Sequence, residues 1–110
     1  MSRFRLAALA CLLTLAVASC ASVLTFGREF PSPARDAIRN GTTTKPDLVA
    51  LLGEPGQVGI KDGDSTWTWY YAKKGNPDLT KVLEVTFTPD GVVKSYSFSS
   101  NFPEDMKALR

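Results

Sequence analysis

The chain has 110 residues, 44% hydrophobic and 22% charged with 10% aromatic, a composition that suits one small globular domain. Its formal charge of +2 resides in Arg3 and Arg5, so acids and bases balance from Cys20 onward and no basic run offers a footprint for nucleic acid. Histidine is absent, and Cys11 and Cys20 both lie near the N-terminus; the commonest general base and zinc ligand are missing, and the folded part has no thiolate or disulfide.

Residues 1–19 read as a secretory signal: Arg3 and Arg5, an apolar stretch from Leu6 to Val17, then small residues. The stretch is shorter than the roughly 20 helical residues that span a bilayer. Val17-Ala18-Ser19-Cys20 resembles a bacterial lipobox, which implies a diacylglycerol thioether on Cys20 and an N-acyl chain. Several tens of methylenes at about 0.8 kcal/mol each then make a lasting anchor, where one chain holds only reversibly. Ala21 follows the cysteine, and by the same resemblance the mature protein sits on the outer membrane and faces the periplasm. Residues 20–31 read as a lipidated tether reaching roughly 40 Å when extended, with Val23, Leu24, Phe26 and Phe30 free to touch lipid or a partner.

Residues 32–110 are expected to form the domain. Ser32-Pro33 predicts the start of a helix over Ala34 to Asn40, stopped by Gly41. Thr44, Pro46 and Asp47 form the sequence pattern of a capping box for a second helix, which carries Leu48, Leu51 and Leu52 on one side. Gly53-Glu54-Pro55-Gly56 ends it. Gln57 to Lys61 is a short strand or an extended loop before the turn Asp62-Gly63-Asp64. Ser65 to Ala72 alternates as a strand, with Trp67, Trp69 and Tyr71 on one face. Thr80 to Thr88 and Val92 to Phe98 follow, joined at Pro89-Asp90-Gly91 by a turn with a glycine bulge. That turn pairs Phe87 with Val93, and an unbroken ladder then puts Tyr96 and Phe98 on the face away from Phe87. The tail from Asn101 is polar enough to fray, unless Phe102, Met106 and Leu109 pin it. The fold class predicted is α+β, two short N-terminal helices on a three-stranded antiparallel sheet (ααβββ).

No pair of residues reads as catalytic machinery. Asp62 and Asp64 lack the further oxygens of a calcium site, Glu84 reads as a cross-strand partner of Lys81 or Lys94, and no metal, cofactor or catalytic residue is assigned. The order of motifs over about residues 36–98 resembles the BamE family, also called SmpA/OmlA, of small outer-membrane lipoproteins. The residues that carry it are Gly41, the cap Thr44, Leu52-Gly53-Glu54-Pro55, the strand Trp69-Tyr70-Tyr71 and the hairpin Phe87-Thr88-Pro89-Asp90-Gly91-Val92. Phe26-Gly27-Arg28-Glu29-Phe30-Pro31 stands where the assembly-factor members carry an Asp-Ile-x-Gln-Gly-like segment turned toward their partners.

The resemblance implies a non-catalytic accessory of β-barrel insertion into the outer membrane. Its partners would be the membrane itself, β-barrel assembly proteins and anionic lipid headgroups. The alternatives are a stress-related envelope lipoprotein of the same domain family outside that machine, and a protein inhibitor resembling β-lactamase-inhibitor modules.

Overall fold

The computed structural model describes residues 24–110; the signal segment, Cys11 and Cys20 lie outside them. Within this range the elements are β1 (Thr25–Gly27), α1 (Lys45–Leu52), β2 (Gln57–Lys61), β3 (Asp64–Lys73), β4 (Leu79–Phe87), β5 (Val93–Ser100) and α2 (Pro103–Leu109). All five strands belong to one antiparallel sheet. β3 and β4 lie at its centre and β5 flanks β4. β1 and β2 share the other side of β3: β2 pairs from Lys61↔Asp64 to Gln57↔Thr68, and β1 from Gly27↔Tyr71 to Thr25↔Lys73.

This overturns the ααβββ expectation, since one of the two helices follows the sheet, and the sheet has five strands. The segment expected to be the first helix is a series of turns, beginning with Ala37 N–H to the Ala34 carbonyl at 3.0 Å. Competing bonds explain the change. A helix would join Arg39 N–H to the Arg35 carbonyl. Instead, Arg39 N–H donates to Thr43 Oγ1 at 2.8 Å, and the Arg35 carbonyl accepts from the Tyr96 hydroxyl at 3.3 Å. Ser32, the expected cap, donates its hydroxyl to Asp105 at 2.9 Å. Tertiary partners take the groups that a helix would use.

α1 forms where the capping pattern placed it. Thr44 Oγ1 accepts from Asp47 N–H, and Thr44 N–H donates to Asp47 Oδ2 at 3.0 Å. Its inner residues Leu48 and Leu52 are buried against the sheet. α2 begins with Pro103 and carries Glu104 and Asp105 in its first turn, a favourable start for a helix. Asp105 binds it to the body by also accepting from Ser100 Oγ at 2.6 Å, so the tail is a docked helix.

The core consists of Phe30, Ile38, Leu48, Leu52, Trp69, Leu83, Val85, Phe87 and Val93. Tyr96 and Phe98 pack against it, contrary to the unbroken-ladder expectation. The turn does pair Phe87 with Val93, but the next pair is Thr86↔Ser95, which leaves Lys94 unpaired. This one-residue bulge turns the rest of β5 over. Val85↔Tyr96 and Leu83↔Phe98 then share the covered face.

Candidate functional site

The motif residues other than Tyr71 separate into two groups, each held by contacts within the fold. Gly41, Thr44 and Gly91 surround the start of β5. Gly41 N–H donates to the Val93 carbonyl at 2.7 Å, Thr44 bridges Val92, and Lys45 N–H donates to the Gly91 carbonyl at 3.1 Å. Gly91 has φ 81°, which supplies the left-handed residue of the hairpin. Phe87 lies behind this junction, edge-on to Trp67 with centroids 5.1 Å apart. Leu52, Gly53 and Trp69 form the second group, where the Trp69 indole donates to the Gly53 carbonyl at 3.1 Å beside half-buried Pro55. Tyr71 stands apart from both and stacks on Phe102 with centroids 6.0 Å apart.

Lys81, which the sequence analysis put beside Glu84, points into the covered face and is 6% exposed. Its alternation with Leu83, Val85 and Phe87 was the available signal. The ammonium donates to the Phe30 carbonyl and, at 3.2 Å, to Ser32 Oγ, and it lies over the rings of Phe30 and Phe102. A hydroxyl beside a lysine is one arrangement used for nucleophilic catalysis. Here the Ser32 proton is directed at Asp105 while the amine donates to the same oxygen, the reverse of what a lysine base requires. The cluster is a clamp joining the N-terminal segment, the sheet and α2. Glu84 pairs instead with Lys61 at 3.3 Å, and Lys94 with Asp64 at 2.8 Å.

An open groove of about 340 Å³ lies between Pro33, Ala34, Arg35, Tyr96, Phe98 and Leu109. Its two polar groups face the chain's own carbonyls, Arg35 to Leu109 and Tyr96 to Arg35. Among the described residues no cluster of acidic or cysteine side chains could hold a metal ion, and no helix is long and apolar enough to cross a membrane.

Among the described residues no helix lies over the other sheet face. Register places Thr66, Thr68, Tyr70 and Ala72 of β3 on it, with Val82, Glu84 and Thr86 of β4. Ser95, Ser97 and Ser99 extend it on β5. Phe26, opposite Ala72, extends it on β1. The segment expected to be a tether therefore enters the sheet at β1 and the core at Phe30. Its entry is fixed by Lys74 N–H, which donates to the Leu24 carbonyl at 2.8 Å.

Gly27 and Gly56 make room for the Tyr70 ring. A Cβ on Gly27 would meet the Tyr70 carbonyl and come within 2.8 Å of the ring, and one on Gly56 would lie 3.1 Å from it. The open face thus has an aromatic corner next to the point where the N-terminal segment joins.

No family model, curated protein or solved structure matches this chain.

Proposed function

We propose that the chain is a lipid-anchored, non-catalytic binding module on the periplasmic side of the outer membrane, an accessory to the insertion of β-barrel proteins. The observation that carries this reading is the short path from Cys20 to the sheet. Cys20 precedes Leu24 by four residues, and Leu24 is already bonded to β3 through Lys74. An acyl group on Cys20 keeps the domain beside the bilayer and raises its effective concentration at membrane-bound partners. One sheet face, which no helix among the described residues covers, is the surface offered for contact. The test is to crosslink intact cells and purify the chain from solubilised outer membranes. Recovery of barrel-assembly subunits supports the reading, while a soluble protein without them overturns it.

The stress-related lipoprotein outside that machine is the second reading, favoured by one observation. The segment that stands where the assembly factors carry their partner-facing residues here supplies β1 and buries Phe30, so it is occupied within the fold. An anchored protein that recovers no assembly subunit from the same crosslinked membranes supports this second reading.

A further inference from the structure

An apolar corner outside the core is formed by Leu24, Phe26, Tyr70 and Val82, all exposed, with Phe26 at 51%. Tyr70 lies directly opposite Val82, and Phe26 opposite Ala72, so their side chains share one face. Leu24 lies two residues before Phe26 on the same extended run, bonded to Lys74. Register also brings Ala72, Thr80 and Ser99 to this corner, and charge lies at its edges: Lys74, opposite Leu24, pairs with Asp78 at 3.2 Å, and Glu84 follows Val82 by two residues. A cluster of apolar groups on an open surface marks a contact site.

The length of chain before Leu24 indicates what covers it. Leu24 follows Cys20 by four positions, and that distance is at most about 14 Å when extended. A bilayer anchored at Cys20 is therefore always within reach of the corner. We propose that this apolar corner rests in the lipid surface with its charged edges at the headgroups, so that the domain has a fixed orientation on the membrane. The rest of the open face and the β4–β5 turn then point toward the periplasm. This inference rests on acylation of Cys20.

The experiment uses the full chain, processed in cells, purified and placed in phosphatidylcholine vesicles. The zwitterionic lipid removes attraction by headgroup charge. An environment-sensitive fluorophore is attached in separate variants at Val82→Cys, at Thr80→Cys on the same corner, and at Asp90→Cys on the β4–β5 turn. Mass spectrometry of each product reads the state of Cys20. The expected result is an acylated protein in which spin-labelled lipid quenches the first two labels several-fold more than the third. The Thr80 label carries the test should Val82→Cys fold poorly.

Equal quenching at all three positions in an acylated, vesicle-bound protein overturns the seated corner and leaves the anchor reading intact. Labels shielded from aqueous iodide but untouched by lipid quencher also overturn it, since a protein surface such as a second copy then covers the corner. An unmodified Cys20 overturns the anchor reading and this inference together.

Discussion

Lys81 Nζ sits 4.7 Å from the centre of the Phe30 ring while donating to the carbonyl oxygen of the same residue. One cation thereby fixes both the backbone and the ring of the segment that follows β1. Its second bond, to Ser32, continues through Asp105 to Ser100, so this side chain links the segment to α2. Replacing Lys81 with methionine keeps most of the stem but leaves the Phe30 carbonyl without its donor. The expected loss is about 1–3 kcal/mol, read as a lower urea midpoint. Faster hydrogen exchange at Thr25–Gly27 should accompany it. An unchanged midpoint with β1 still protected would show that the clamp contributes nothing.

Gly53 and Gly27 both have positive φ, 84° and 76°, yet alanine should act differently at each. At Gly53 a Cβ meets nothing within 4 Å, so Gly53→Ala adds only backbone strain of about 1–3 kcal/mol. The bond from Trp69 remains and the sheet stays whole. At Gly27 the Cβ would collide with Tyr70, so Gly27→Ala should also detach β1. Exchange of the β1 amides separates the two outcomes: protected in the first variant, exposed in the second.

The capping box gives α1 an acid-sensitive start. Asp47 is held below its ordinary value of 3.8, first by the backbone N–H of Thr44 and then by the Thr44 hydroxyl, against a small opposing effect of burial. A lowered folded value means that its contribution is complete above 3.8 and disappears as pH falls through that lowered value. Asp47→Ala should therefore be less stable than the parent at neutral pH and converge with it in acid. Thr44→Ala removes the cap and should cost about 1 kcal/mol. Thermal unfolding of the three proteins across the acidic range measures both effects; a gap between parent and Asp47→Ala that persists in strong acid would contradict the assignment.

The elements controlled by neighbours in sequence were readable in advance. Thr44 with Asp47, the alternation of Trp67, Trp69 and Tyr71, and the Gly91 turn all act within a few residues. What escaped was decided by distant groups. Tyr96 takes the Arg35 carbonyl from across the fold, 61 residues away, and Asp105 takes Ser32 from 73 residues away, and the first predicted helix is lost between them. The candidate surface was only partly legible. Phe26 and Leu24 were noted as free apolar residues, but their place beside Tyr70 and Val82 depends on β1 joining β3, and three residues carry too little pattern to announce a strand. Lys81 was misplaced because a charge among apolar inward positions was given a surface partner.

The bulge at Lys94 yields the most discriminating mutation. Deleting Lys94 removes the extra residue itself, so a regular ladder from Phe87↔Val93 would run on through Thr86↔Ser95 and Val85↔Tyr96, the pairs already present. Tyr96 would keep the Arg35 carbonyl, and Phe98 its edge contact with Phe30, whose centroid is 6.5 Å away. The expected result is a folded protein with no rise in binding of a hydrophobic dye. Lys94→Gln keeps the residue count and should likewise bind no extra dye. It removes only the ion pair with Asp64, whose hydrogen bond, ahead of its charge, holds the Lys94 ammonium above its ordinary 10.5. A raised folded value is a contribution fully present below 10.5 and lost as pH rises through the raised value. The Gln variant should thus be slightly less stable at neutral pH and meet the parent in strong alkali. A strong rise in dye binding in the deletion variant alone would show that Lys94 is not the extra residue that turns Tyr96 and Phe98 into the core.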